Sequence, residues 1–175
     1  MPLDHLWATW RSAYVGRVVD SRTVPSPEEA GGRSLFERIL AGADEEGDEE
    51  AGVLWRGRTC FALINLYPYT AGHLMVLPNR AVADLEDLTD EEHLELWSAV
   101  RSAVVALKAA FACDAVNVGL NLGAAAGGSQ SDHLHVHCVP RWHGDANFIA
   151  VAAETRVLPV PLDEAADRIR AAWPT

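Results

Sequence analysis

From His133 to Val139 the chain reads His-Leu-His-Val-His-Cys-Val, three histidines alternating with apolar residues directly behind the glycine-rich run Gly123-Ala124-Ala125-Ala126-Gly127-Gly128-Ser129. Alternation at period two is the pattern of a half-buried strand, because successive side chains there leave on opposite faces. His133, His135 and His137 are then expected on one face, with Leu134, Val136 and Cys138 on the core side. Strand rise alone sets neighbouring imidazoles about 6.5–7 Å apart. Each imidazole needs a hydrogen-bond partner if buried, so three on one face are costly as packing alone. With only seven histidines in 175 residues, three in strict register mark a site.

Two chemistries compete for it. His-x-His on a strand can place two imidazoles on one zinc ion. The alternative is phosphate chemistry, with one imidazole as nucleophile and the others positioning the phosphate and assisting proton transfer. The preceding loop separates the two. Gly127-Gly128-Ser129 lets backbone N–H groups approach an anion closely. A metal site would want oxygen or sulfur ligands with carboxylates behind them, and Asp132 is the only acidic residue close by in sequence. The residues favour phosphate, and no metal ligand is predicted.

At this length the chain is expected to form one core and bury about 70% of its unfolded surface. Apolar residues make up 49% of it, which suffices for a normal core. No apolar run approaches the length of a membrane span and no basic segment leads into an apolar one, which predicts a soluble, cytoplasmic protein without a membrane partner. Cys60, Cys113 and Cys138 are odd in number and isolated, and read as small core hydrophobes. The net charge of −11 argues against nucleic acid as a partner, since that needs a basic footprint. Asp44, Glu45, Glu46, Asp48, Glu49 and Glu50 concentrate six negative charges in seven residues, a run expected to be a solvated loop. A phosphate-bearing substrate must therefore be held by local donors.

Leu3, Leu6, Trp7, Trp10, Tyr14 and Val18 recur at helical spacing, and Ser21 to Gly32 reads as a linker. Ser34-Leu35-Phe36-Glu37 is a capping box opening a short helix to about Ala41, with Leu35, Phe36 and Ile39 as its anchors. Strands are predicted at Val53–Trp55, Thr59–Leu66, Leu74–Leu77, Ala115–Leu122 and His133–Val139. Thr89-Asp90-Glu91-Glu92 is a second capping box and starts a long helix to about Phe111. Its buried face is expected to carry Leu94, Trp97, Val100, Val104, Leu107 and Phe111. Phe148–Ala152 is expected to be extended, and a last helix to run from Leu162 to Trp173 with Leu162, Ala166, Ile169 and Trp173 inward. Short connections between strands imply antiparallel pairing, with the helices on one side: an α+β sandwich.

The triad His-φ-His-φ-His-φ-φ, φ being apolar, resembles the signature of the histidine-triad (HIT) nucleotide hydrolases and transferases. Phe61 to Pro78 resembles that family's upstream strand, loop and strand. Asn65-Leu66-Tyr67-Pro68-Tyr69, Asn117 to Gly123 and Val139-Pro140-Arg141-Trp142 are most similar to the actinobacterial diadenosine tetraphosphate phosphorylases, also called ATP adenylyltransferases. The resemblance implies a HIT-like antiparallel sheet with one long helix and additional terminal helices. It divides the chain into an N-terminal extension (1–52), a HIT catalytic domain (53–152) and a C-terminal extension (153–175), and implies a homodimer. It makes His135 the nucleophile that attacks the α-phosphorus, with its other ring nitrogen held by a backbone carbonyl of its own strand. His137 then contacts the reacting phosphate, and His133 and His73 support.

Ser129 and the backbone of Gly127 and Gly128 are expected against the α-phosphate, with Gln130 second. Asn121 and Asn65 are candidates for phosphate and ribose, or simply close turns. Arg141 either reaches distal phosphates or is a surface arginine; Trp142 either stacks on a base or caps the core. Tyr67-Pro68-Tyr69 lines the base pocket or packs between subunits. His143 departs from the small residue of the phosphorylase-like pattern and bears on the distal phosphate pocket. Many bacterial relatives carry Cys-φ-Phe-Cys as part of a zinc site where this chain has Leu35, Phe36, Glu37 and Arg38. No tightly bound cofactor is therefore expected, only a divalent cation such as Mg2+ accompanying the substrate. The expected reaction converts diadenosine tetraphosphate and inorganic phosphate into ATP and ADP through nucleotidyl-His135. The alternatives are a HIT hydrolase of nucleoside phosphoramidates or other conjugates, and a nucleotide sensor without turnover.

Overall fold

The computed structural model describes residues 32–127, 130–145 and 159–174. The amphipathic helix expected near the N-terminus, the linker up to residue 31, the Gly128–Ser129 pair and the extended segment expected at Phe148–Ala152 lie outside the described residues. Helix α1 (Leu35–Glu46) opens at a complete capping box. Ser34 Oγ accepts from the Glu37 N–H at 3.1 Å, and the Glu37 carboxylate accepts from the Ser34 N–H at 2.8 Å. The helix outruns its expected end at Ala41 and stops at Gly47, whose φ of 106° a side chain would strain. The start of the acidic run is thus helical. Carboxylates at a helix C-terminus oppose the macrodipole, and Arg56 offsets them, with Nη1 2.8 Å from Asp44 and Nε 2.6 Å from Asp48.

Strands β1 (Val53–Arg56), β2 (Cys60–Ile64), β3 (Leu74–Pro78), β4 (Ala115–Leu120) and β5 (Val136–Arg141) form one antiparallel sheet in the order β1-β2-β3-β5-β4. Helices α2 (Asp90–Phe111) and α3 (Leu162–Ala172) cover one face, where Leu96, Ala103, Leu107, Ala166 and Ile169 meet Leu74, Val76, Val136 and Cys138. The opposite face is covered too, where Phe36 and Ala43 of α1 meet Val53, Phe61, Leu63, Met75 and Leu77. Helices on one side only were expected. Strand β3 is buried at every residue, and a strand apolar on both faces requires cover on both.

The long helix begins at its predicted cap, with Thr89 and Glu92 completing the box, but its buried stripe differs from the expected one. Leu96, Ala99, Val100, Ala103, Ala106 and Leu107 face the sheet, whereas Leu94 is 69% exposed. Trp97 and Phe111 only flank the core. Both stripes repeat at helical spacing; the one rich in alanine lets the helix axis lie closer to the sheet, and the bulky residues are left to its margins. In α3, Ala165 joins Ala166 and Ile169 in the core, while Trp173 stacks on Trp55 with ring centroids 5.7 Å apart.

Candidate active site

Strand β5 enters the sheet between β3 and β4, so the triad lies at the centre and not at an edge. The ladder begins at Val136, three residues later than predicted. Ahead of it the Leu134 N–H donates to Val82 O at 2.6 Å, and alternation persists. Leu134, Val136 and Cys138 join the core under α2, while His133 and His135 meet Phe36 on the other face, each with ring centroids 5.4 Å away. His133 is fully buried and His135 6% exposed. The rings of His135 and His137 stand 4.9 Å apart, closer than strand rise alone predicts, because they lean towards each other.

Their hydrogen bonds fix which nitrogen of each ring carries the proton. His135 Nδ1 lies 2.8 Å from its neighbour's carbonyl, His133 O. A carbonyl can only accept, so the proton sits on Nδ1 and Nε2 keeps its lone pair. No described residue bonds that Nε2. His73, fully buried just ahead of β3, accepts the Tyr69 N–H on Nδ1 at 3.1 Å. Its Nε2–H therefore donates to His137 Nδ1, 3.0 Å away, which leaves the His137 proton on Nε2. The pair thus offers one bare nitrogen and one N–H. Burial pushes the His135 pKa below its usual value. Burial and the neighbouring His135 push His137 down to about 4. Both rings are neutral at physiological pH.

His133 is held differently. Its Nε2 lies 2.9 Å from Pro78 O and its Nδ1 2.7 Å from Ser34 Oγ. Asn65 closes its own turn, with Oδ1 accepting the Tyr67 N–H at 3.0 Å, and its amide nitrogen is 3.2 Å from His73 Nδ1. The Tyr69 ring packs 4.5 Å from His73 and 6.0 Å from His137. Across the sheet Gly119 pairs with His137; a methyl group there would meet no atom of the described residues within 4 Å. Asn121 follows the end of β4, and Gly127 takes a φ of 91° in the glycine loop, close to Gln130 in sequence. Ser129 and Gly128 lie outside the described residues.

The remaining candidates are not brought to the triad within this chain. Arg141 is four residues beyond His137 along β5, about 13 Å at strand rise. It forks onto Asp145 at 2.6 and 2.7 Å and reaches Asn117 at 3.0 Å. Trp142 sets its ring against Phe111, centroids 6.5 Å apart. His143 is exposed, its Nδ1 2.9 Å from Asp114. Sequence reasoning treated Ser34, Phe36 and Glu37 as helix start and anchor only; the contact of Ser34 and Phe36 with the triad, which Glu37 joins through Ser34, arises because α1 folds across the histidine face.

A model of the HIT domain matches residues 46–144. The chain belongs to the HIT family. It is 42% identical over 98% of its length to an AP-4-A phosphorylase of Mycobacterium tuberculosis, covering 85% of that protein. An asymmetrical bis(5'-nucleosyl)-tetraphosphatase of Schizosaccharomyces pombe is 38% identical over 53% of the chain and 50% of that protein. Among solved structures, a zinc-bound histidine triad family protein of Mycobacterium smegmatis superposes with a TM-score of 0.63 at 26% identity, covering 79% of this chain and 91% of the other. In this HIT protein the described residues do not fit such an ion. Both His133 nitrogens have partners, residues 35–38 are Leu, Phe, Glu and Arg, and no described group of three His, Cys, Asp or Glu side chains is arranged to hold a metal.

Proposed function

We propose that this HIT protein is a diadenosine polyphosphate phosphorylase that works through a covalent nucleotidyl-His135. The observation that carries the reading is the bare Nε2 of His135, with its proton held on Nδ1 by the His133 carbonyl at 2.8 Å. The end-to-end likeness to an AP-4-A phosphorylase supports the substrate class. His135 Nε2 attacks the α-phosphorus, the N–P bond forms, and the bond from phosphorus to the bridging oxygen breaks. A polyphosphate leaves as a stable anion, so it needs a hydrogen bond and not a proton, and the His137 N–H supplies one. The imidazolium formed on attack keeps its Nδ1–H against the His133 carbonyl, which stabilises the charge. Inorganic phosphate then attacks the same phosphorus, the N–P bond breaks and ADP leaves.

Ser129, the amides of Gly127 and Gly128, and Asn121 hold the phosphates in this reading; Tyr69 and Asn65 shape the nucleoside side through His73. The protein works as a homodimer, supported by the edge of β4, which no described strand pairs and on which Val118 is 41% exposed, and by Val105 of α2, which is 49% exposed. The deciding experiment incubates the protein with diadenosine tetraphosphate, with and without phosphate, and resolves the nucleotides. Phosphate should be required, and ATP and ADP should appear together. AMP accumulating at an unchanged rate without phosphate would make the protein a hydrolase, as the likeness to the yeast tetraphosphatase allows.

A further inference from the structure

We infer that the first turn of α1 is a positioning device for the nucleophile, in which the Ser34 hydroxyl sets the ring of His133 and thereby the carbonyl that orients His135. The rate arm of this inference rests on the function proposed above; the structural arm does not.

The hydrogen bonds allow one assignment of protons. Pro78 O can only accept, so His133 carries its proton on Nε2, 2.9 Å away. Nδ1 is then bare, and the Ser34 hydroxyl must donate to it across 2.7 Å. The same oxygen accepts the Glu37 N–H at 3.1 Å. Glu37 in turn fixes both sides of the assembly, accepting the Ser34 N–H at 2.8 Å and the Ala81 N–H at 3.0 Å. Burial acts to raise the Glu37 pKa, but these bonds outweigh it and hold the carboxyl below its ordinary value. Burial lowers that of His133, in keeping with a neutral ring. Ser34 is 2% exposed and His133 fully buried, so water cannot replace either partner.

His133 is thereby gripped by the start of α1 and by the last residue of β3, and the segment after β3 bonds the next residue, Leu134, through Val82 O. Its carbonyl accepts from His135 Nδ1, and Phe36 of the same helical turn packs on both rings. A simple helix cap needs only an acceptor oxygen, which aspartate provides as well as serine. Here the hydroxyl proton is used as well, on His133. Aspartate at 34 would cap the helix but could not donate to Nδ1; it would draw a second proton onto His133 instead.

The test compares the full-length wild type with Ser34→Asp, Ser34→Thr and Ser34→Ala. Imidazole 15N NMR reads the His133 tautomer, and single-turnover mass spectrometry with diadenosine tetraphosphate reads the rate of adduct formation on His135. Wild type and Ser34→Thr should show His133 protonated on Nε2 alone. Ser34→Asp should melt close to wild type yet carry protons on both nitrogens. Its adduct should form on the order of 10- to 100-fold more slowly, the cost of a slightly misplaced nucleophile, with KM little changed and Ser34→Thr restoring the rate. Ser34→Asp reacting at the wild-type rate would overturn the inference, as would a wild-type His133 protonated on Nδ1. If the aspartate variant does not fold, Ser34→Ala takes its place in the rate comparison, and the wild-type spectrum decides the tautomer regardless. A wild type that forms no adduct would instead refute the proposed function, leaving the tautomer measurement to decide this inference alone.

Discussion

At the scale of single residues the site is a set of neutral imidazoles whose protons are placed by backbone groups and, for His137, by the His73 ring. His135→Ala should lower turnover by about 10^4-fold or more, because the covalent path needs its nitrogen. Nucleotide binding should persist, as equilibrium dialysis can show. His137→Ala should slow the reaction while leaving the nucleophile, so intact mass should reveal a nucleotidyl adduct. The pH dependence follows from the direction of the shifts. His135 must be neutral to attack, and burial lowers its pKa from 6.5. The acid limb of kcat/KM, which reports the free enzyme, should therefore lie below pH 6.5, with a flat profile through neutrality. A limb centred at pH 7 or above would contradict the burial seen here.

At the scale of elements the histidine face depends on how closely helices and turns approach the sheet. Gly72 has a φ of 80°, and a methyl group on it would come within 2.5 Å of the Phe111 ring. Gly72→Ala combines backbone strain with overpacking and should destabilise by about 1–3 kcal/mol. It should also slow catalysis, because His73 is the next residue. Ala103, fully buried on α2, poses the same question on the opposite face. Ala103→Leu should lower stability by about 1–3 kcal/mol with catalysis nearly intact. Urea unfolding beside single-turnover rates separates the two variants, and equal loss of rate in both would show that the turn before β3 has no special hold on His73.

For the whole molecule, acid stability sums the buried titrating groups. His137 falls from 6.5 to about 4 on folding, so the unfolded chain binds more protons. The stability this group contributes is complete above about pH 6.5 and is lost as the pH falls through its folded value of about 4. Glu92 is held down to about 2 by the Arg80 fork above all, with contacts of 2.7 and 2.8 Å. Its contribution is present above its ordinary 4.5 and is lost only as the pH falls through about 2. The melting temperature should therefore fall in two stages below pH 6.5, and His137→Asn should make the first shallower, leaving the share of His133 and His135, whose values burial also lowers. Unchanged slope between pH 6.5 and 4 in that variant would show that His137 is not the group responsible.

Local patterns in the chain were sufficient for the caps, the strands and the alternating histidines. Ser34 and Thr89 begin their helices because capping depends on residues three apart, and His135 stands out because strand alternation is a property of consecutive residues. What lies far apart in sequence needed the fold. The insertion of β5 between β3 and β4 brings His73 to His137, and the second helical layer brings Ser34 to His133, 99 residues away. The choice of the alanine stripe on α2 was equally hidden, since two stripes share one period and only the distance between helix and sheet selects between them. Long-range pairing is set by the joint packing of all the layers, and no local window of sequence contains it.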